Sequence, residues 1–160
     1  MGMCQREDEM KNVLGIDIGM SGALSFYNGE ELMVYDMPIF KVKNGNEVDP
    51  HKLSEIIKFN KPTEAWIEKA LLMPMNGKIA YQKMGKAEGI FQGIFAALDI
   101  PYTIIAPAVW KKEMGCDSDK DNSRMRASQL LPQCAHNWEL KSHDGRAESS
   151  LIALYGYRKG

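Results

Sequence analysis

The sequence predicts an α/β fold in which a five-stranded mixed sheet is flanked by helices. Apolar, β-branched runs that are typical of strands come first, and an Asn-Gly pair that is typical of a hairpin turn joins two of them. Segments with helical spacing then alternate with two further strands. A hairpin-connected meander followed by alternating units is typical of a mixed sheet with helices on its faces.

Three strands are predicted in the first quarter of the chain. The first is the apolar run Val13–Gly19, and the Asn28-Gly29 turn lies between Ala23–Tyr27 and Leu32–Met37. The polar residues 40–48 predict a loop.

The remaining segments alternate between the two kinds of element. The other two strands are predicted over 65–70 and 101–106. Asp49-Pro50 is a typical helix start and Lys61-Pro62 a typical stop. Further helices are predicted over 79–98, 107–115, 123–131 and 142–157.

Length and composition indicate one globular domain. We expect residues 1–11, which are polar and acidic, to form a flexible leader, and residues 12–160 to form a single domain. Three widely spaced cysteines fit neither a zinc site nor a disulfide framework, which favours a reducing, cytoplasmic setting. No apolar run approaches the roughly 20 residues that span a bilayer, so no membrane partner is expected.

The charge of the chain is unevenly distributed. The formal net charge is −1, but residues 1–70 carry 8 basic and 12 acidic residues, whereas residues 71–160 carry 12 and 9. A near-neutral total does not by itself indicate nucleic-acid binding. Any DNA-binding surface must therefore be local and lie mainly in the second half.

Two carboxylates interrupt apolar strands. Asp17 lies in the first strand and Glu68 in the fourth, each among apolar neighbours. An ionised carboxylate in a buried strand is costly unless it is paired or binds a metal. These two acids are therefore candidate metal ligands.

The last helix carries a second acidic pair. Asp144 and Glu148 are four residues apart, so they share one face of the helix. Asp144 could instead cap the helix and Glu148 lie in its solvated first turn, where the helix dipole favours acids. Combined with Asp17 and Glu68, the pair completes a set of four carboxylates suited to two Mg²⁺ ions.

Five short motifs occur in a characteristic order. They are Gly-Ile-Asp-Ile-Gly at 15–19, Ile-Glu-Lys at 67–69, Lys-Met-Gly-Lys-Ala-Glu-Gly at 83–89, Ala-Pro-Ala-Val-Trp-Lys-Lys at 106–112 and His-Asp-Gly-Arg-Ala-Glu at 143–148. With them the chain resembles the RuvC family of Holliday-junction resolvases, within the RNase H-like superfamily, and especially its short phage-type members. The resemblance runs from about Val13 to Tyr157.

The resemblance implies a dimeric nuclease that nicks two opposed strands of a four-way DNA junction. It implies two Mg²⁺ ions, which Mn²⁺ could replace, held by Asp17, Glu68, Asp144 and Glu148. His143 would position water or the scissile phosphate, although a lone histidine is more often structural. In better-known members the last two acidic positions are three residues apart, and Glu148 aligns better with the final one. Whether Asp144 and His143 take part in metal binding or catalysis therefore stays open.

The same resemblance and the placement of basic residues suggest a DNA-binding set. Lysines and arginines at strand ends and helix starts suit phosphate contacts, and apolar residues beside the site could wedge between bases. A solvated surface or plain core packing would also account for such residues. The predicted contacts are Leu71, Leu72, Lys78, Lys83, Lys86, Lys111, Lys112, Lys120 and Arg124.

Glycines recur every four residues on the long predicted helix, at Gly85, Gly89 and Gly93. Each costs about 1 kcal/mol against alanine in a helix interior, which suggests that another backbone, a partner or DNA approaches closely. Because the family places its subunit contact near this helix, we expect a homodimer.

Three other functions compete with this interpretation. Asp17–Gly22 resembles the first phosphate loop of sugar-kinase and actin-like ATPases, but 160 residues cannot supply the two domains of that fold. An RNase H-like nuclease acting on RNA–DNA hybrids or other branched DNA would use the same carboxylates. A non-catalytic junction-binding protein would have no need of the intact acidic set.

Overall fold

A computed structural model of the chain describes residues 9–71, 73–116 and 120–160, with the side chains of residues 74, 120 and 121 left undescribed. The strands are β1 (Val13–Asp17), β2 (Ala23–Tyr27), β3 (Leu32–Asp36), β4 (Ile39–Val42), β5 (Gly45–Val48), β6 (Glu64–Glu68) and β7 (Tyr102–Ile105). The α-helices are α1 (Pro50–Asn60), α2 (Gly77–Ala97), α3 (Pro107–Met114), α4 (Lys120–Leu130) and α5 (Asp144–Lys159).

Five strands form the main sheet in the order β3-β2-β1-β6-β7. β1 pairs antiparallel with β2 and parallel with β6. β2 pairs antiparallel with β3, and β6 pairs parallel with β7. The predicted five-stranded mixed sheet flanked by helices is therefore confirmed.

Helix boundaries follow the local signals in the sequence. The Asp49 carboxylate caps α1 by accepting hydrogen bonds from the backbone N–H groups of His51 at 3.0 Å and Lys52 at 3.1 Å. Lys61 ends this helix in the left-handed region, with φ of 48°. Gly115 ends α3 in the same way, with φ of 74°.

The polar segment 40–48 was predicted as a loop, and this prediction is wrong. It forms β4 and β5, a separate two-stranded antiparallel hairpin. Val48 is buried, whereas Phe40 and Lys41 are exposed. A strand with so few buried side chains lacks the apolar alternation by which strands are recognised. Three 3₁₀ turns, over Pro74–Asn76, Pro132–Trp138 and Lys141–His143, also lack a sequence signal.

Apolar residues pack on both faces of the main sheet. One layer joins the sheet to α1 and α2 through buried side chains such as Leu53, Ile57 and Phe91. The other joins it to α3, α4 and α5 and includes Trp110 and Trp138. α5 lies across β1 and β2 on this second side.

The start of the described chain is tied to the domain. Lys11 Nζ donates a hydrogen bond to the carbonyl oxygen of Tyr157 at 2.7 Å, so the last residue of the predicted leader contacts α5. Residues 1–8 of that leader lie outside the described residues. Within the described ranges, no helix combines the length and the apolar character needed to cross a membrane.

Candidate metal centre

Asp17 and Glu68 lie at the same edge of the sheet. Ile16 of β1 is paired with Ile67 of β6, and each acid follows directly as the last residue of its strand. Carboxyl ends of parallel strands meet at one edge, so side chains at equivalent positions point the same way. The two predicted strand acids are thus neighbours, although they are 51 residues apart in sequence.

α5 brings the third acid to this edge because Gly15 has no side chain. A Cβ atom on Gly15 would lie 2.3 Å from the carbonyl oxygen of Ser149 and 2.3 Å from the backbone nitrogen of Ala153. The backbone of α5 therefore rests directly on β1. Glu148 precedes Ser149 on this helix, and only 6% of it is exposed.

A buried group of hydroxyls fixes the register of α5 on the sheet. The Ser25 hydroxyl of β2 lies 2.7 Å from the hydroxyl of Ser149 and 2.9 Å from that of Ser150. Both helix serines also donate to the carbonyl oxygen of Arg146, at 3.1 and 2.7 Å. These bonds satisfy polar groups that would be costly to bury alone.

Asp17, Glu68 and Glu148 each offer a carboxylate oxygen, and these oxygens all lie within 4.8 Å of one another. Two oxygens bound at about 2.1 Å to one Mg²⁺ are at most about 4.2 Å apart, so small side-chain adjustments suffice for shared coordination. An all-oxygen, all-anionic set suits hard divalent cations such as Mg²⁺ or Mn²⁺. The residues present therefore fit a metal ion.

Two of these carboxylates receive hydrogen bonds from the helices that follow β7. Trp110 of α3, which is fully buried, donates its Nε1–H to Glu68 Oε2 at 2.7 Å. Ser123 of α4 donates to Glu148 Oε1 at 3.3 Å. Lys111 Nζ lies 3.5 Å from the same oxygen. These contacts orient the acids and offset part of their mutual repulsion.

Trp110 and Ser123 were not among the predicted site residues. A buried tryptophan has one N–H that needs an acceptor, so Trp110 beside two lysines offered a weak signal. Ser123 offered none, because its partner is set by how α4 packs against α5. Lys111 was predicted to contact DNA, and the structure adds a contact with the acidic group itself.

Asp144 and His143 lie at the start of α5, outside the group of described residues whose ligand atoms meet within 4.8 Å. His143 Nδ1 accepts the backbone N–H of Leu140 at 3.3 Å, which leaves Nε2 as the donor of the neutral ring. Gly145, the residue after Asp144, packs against the loop between β1 and β2: a Cβ there would lie 2.7 Å from the carbonyl oxygen of Ser21 and 3.2 Å from Asp17 Oδ2. The ligand role of Asp144 and the catalytic role of His143 stay predictions.

An ion pair joins the first turn of α5 to the main sheet. Arg146 donates from Nε to Asp36 Oδ1 at 2.7 Å and from a terminal nitrogen to Oδ2 at 2.8 Å. This hydrogen-bonded guanidinium lowers the pKa of Asp36 below its ordinary value. Arg146 therefore links α5 to the end of β3 beside the metal centre.

The predicted DNA contacts near α2 lie on the surface. Leu71 is 69% exposed, which excludes plain core packing for this residue, and it borders a pocket of about 370 Å³ together with Tyr81. Lys78 and Lys86 are exposed and Lys83 is half-buried. Leu72 lies outside the described residues.

The predicted contacts after β7 are more varied. Lys112 is exposed, whereas Lys111 is half-buried at the acidic group. Arg124 donates to the carbonyl oxygen of Glu139 at 3.2 Å. The side chain of Lys120 lies outside the described part of the chain.

Comparison with known proteins gives matches to structures only. Neither a family model nor a curated protein matches the sequence. The Thermus thermophilus RuvC in complex with Holliday junction substrate superposes with a TM-score of 0.63 at 14% identity, covering 93% of this chain and 96% of that one. A second T. thermophilus RuvC structure gives 0.62 at 15%, covering 92% and 96%. The yeast mitochondrial Holliday junction resolvase Ydc2 gives 0.55 at 15%, covering 94% and 82%. The chain therefore has the α/β fold of these RuvC structures.

Proposed function

We propose that this protein is a divalent-metal-dependent endonuclease that resolves four-way DNA junctions by paired nicks in opposed strands. The observation that carries the proposal is the meeting of Asp17, Glu68 and Glu148 within 4.8 Å on a RuvC-type fold. A solved structure with this fold contains a Holliday junction substrate, which supports the choice of DNA as the target.

In this proposal Asp17, Glu68 and Glu148 hold two Mg²⁺ ions, with Asp144 as a further ligand. The chemistry supplied by the bound ions is activation of a water molecule and stabilisation of the leaving 3′ oxygen. Trp110 holds the Glu68 carboxylate in place through its N–H. Lys111, beside Glu148, adds a positive charge that attracts the phosphate. His143 offers its Nε2–H to water or to a phosphate oxygen.

We propose that the protein acts as a homodimer, because two opposed strands require two metal centres. Gly85, Gly89 and Gly93 follow one ridge of α2, and a Cβ on any of them would meet no described atom within 4 Å. This ridge is thus available to a second subunit. Light scattering at micromolar concentration should give twice the 18.0 kDa chain mass. A monomer that cleaves both strands at equal rates would contradict the dimer.

One cleavage assay tests the activity. A labelled four-way junction, a matched duplex and an RNA–DNA hybrid are incubated with the protein in Mg²⁺, in Mn²⁺ and in EDTA. We expect symmetric nicks in the junction alone, only with metal. Cleavage of the hybrid in preference to the junction would show that the substrate is an RNA–DNA hybrid. Junction binding without cleavage in either metal would show that the protein binds junctions but is not a nuclease.

A further inference from the structure

We infer that the β4–β5 hairpin and the first turns of α2 form a groove that binds the phosphate backbone of a junction arm. The inference rests on the proposed function and adds to it an element, the β4–β5 hairpin, which the sequence analysis predicted as a loop. The groove encloses about 270 Å³ and is lined by neither Asp17, Glu68 nor Glu148. It is therefore a contact surface distinct from the metal centre.

The groove owes its shape to contacts between the helix and the hairpin. Lys83 of α2 reaches across and donates from Nζ to the carbonyl oxygen of Asn44 in the hairpin turn. Lys86, one turn further along, pairs with Glu47 of β5 at 2.6 Å. Gly45 follows the turn with φ of 110°, and a Cβ there would lie 3.0 Å from Lys83 Nζ. The hairpin is thus held against the helix with its turn beside an ammonium group.

The charge of the groove is positive although the protein as a whole is not. Three lysines line it, Lys43, Lys83 and Lys86, against one acid, Glu47. The acceptor of Lys83 is a neutral carbonyl, so its charge stays uncompensated in the groove. A local net charge of +2 on a chain whose total is −1 selects an anionic partner.

The extent of the groove fits a nucleic-acid backbone. Its helical wall runs from Ile79 to Lys86, which at 1.5 Å per residue is about 10 Å. One DNA strand presents a phosphate about every 3.4 Å of helix axis, so a wall of this length laid along that axis would span about three phosphates. Lysine is a point-charge donor without a fixed fork, which suits sequence-independent phosphate contacts better than base reading.

Lys43 is the residue that tests the groove most cleanly, because it is exposed and lies in the turn. The variants are Lys43→Gln and the double variant Lys43→Gln/Lys86→Gln. The matched control is Lys52→Gln, which removes an exposed lysine from α1. Fluorescence anisotropy then measures junction affinity in EDTA over a salt series, so that cleavage does not intervene.

Each groove lysine should contribute one phosphate contact. We expect binding to weaken roughly 3- to 10-fold per lysine near 0.1 M salt, and the slope of log K against log salt to fall by about 1 for each. Lys52→Gln should change neither quantity, and Lys43→Arg should restore affinity. Unchanged melting temperatures would show that the variants are folded.

Several outcomes would overturn the inference and leave the proposed function standing. One is a groove variant that binds the junction with the affinity and salt slope of the parent, while the parent cleaves. Another is a poly-glutamate peptide that binds the parent and not the double variant, while junction affinity is equal in both, because the groove would then serve an acidic protein segment. Failure of the parent itself to bind or cleave the junction would instead count against the proposed function.

Discussion

At the carboxyl edge of β1 and β6, the acidic groups receive contacts from several buried or half-buried partners, whereas the two α2 lysines that reach the hairpin lie at the surface and each donate to one hairpin acceptor. Glu148 receives a hydroxyl and an ammonium group, and Glu68 receives a buried indole N–H. Lys83 and Lys86 each have a single hairpin acceptor. The contrast fits the two tasks of the proposed function, since in-line chemistry needs fixed ligands and a flexible, branched substrate needs adaptable phosphate contacts.

The largest effect is expected from Asp17→Asn, at the acidic edge. The substitution removes the charge of one proposed metal ligand and keeps the shape of the side chain, so we expect cleavage to fall by roughly 10³-fold or more, the equivalent of about 4 kcal/mol. Junction affinity in EDTA should stay within about threefold, because phosphate contacts supply most of it. Single-turnover cleavage and anisotropy measure the two effects.

The matched control for that experiment is Asp99→Asn. Asp99 is exposed and has φ of 54°, a conformation that asparagine adopts readily. Its activity should equal that of the parent. A similar loss in both variants would mean that lowered acidity in general, and not the metal centre, controls the rate.

Gly15→Ala should destabilise the packing of α5 against β1. The new Cβ would meet backbone atoms of α5 at 2.3 Å, which a helix resting on a strand cannot avoid without moving. We expect a loss of about 1–3 kcal/mol of unfolding free energy, or roughly 2–12 °C in Tm. Differential scanning calorimetry measures it.

A glycine-to-alanine substitution on the α2 ridge should have the opposite effect on the free energy of unfolding. Gly93→Ala meets no described atom within 4 Å and should stabilise the helix by up to about 1 kcal/mol in the monomer. At concentrations where the proposed dimer forms, a destabilisation by Gly93→Ala that grows with protein concentration would indicate that the ridge is a tight subunit contact. Equal losses at Gly15 and Gly93 would remove the distinction between the two regions.

Trp110→Phe removes one hydrogen bond from the metal centre and keeps most of the packing. Without the N–H, the Glu68 carboxylate loses its orientation, so we expect metal affinity and cleavage to fall about 10- to 100-fold. Titration of cleavage with Mn²⁺ measures the effect, and high metal should restore part of the rate. Trp138→Phe, another buried tryptophan, which donates to Ser128 at 2.9 Å, is the control for packing. A rate loss in Trp138→Phe as large as in Trp110→Phe would contradict an orienting role.

The smallest effect is expected at the Asp36–Arg146 pair. Because Arg146 lowers the pKa of Asp36 in the folded state, the pair stabilises the protein above the unfolded pKa and loses this as pH falls through the folded value, below about pH 4. The Asp36 side chain is 65% exposed, so solvent screening limits the gain to under about 1 kcal/mol. Asp36→Asn should therefore lower Tm slightly at pH 7, and the Tm difference from the parent should shrink as the pH falls below about 4. A Tm difference that persists unchanged in acid would assign the effect to something other than this charge pair.

The sequence was informative where one residue conflicts with its local setting. Asp17 and Glu68 are acids within apolar strands. Because burying an ionised carboxylate costs free energy, the sequence alone indicated that the two residues share a site. The sheet followed from apolar periodicity and the Asn28-Gly29 turn. In both cases a few neighbouring residues contain the whole signal.

The rest depends on tertiary placement, which no short window encodes. Trp110 faces Glu68 because β7 neighbours β6, and Ser123 faces Glu148 because α4 packs on α5. The β4–β5 hairpin was missed because Val48 is its one fully buried apolar residue among those described. Its contacts with α2 come from Lys83 and Lys86, which lie about 40 residues away.

The serine cluster beneath α5 has a consequence for how activity would be lost. Successive residues of an α-helix are turned by about 100°, so sliding α5 by one position would swing Glu148 away from Asp17. Ser25, Ser149 and Ser150 oppose such a slide through bonds that exist in one alignment only. Ser25 is buried and is not a proposed metal ligand. Replacing it should nevertheless lower the proposed activity in a protein that still folds.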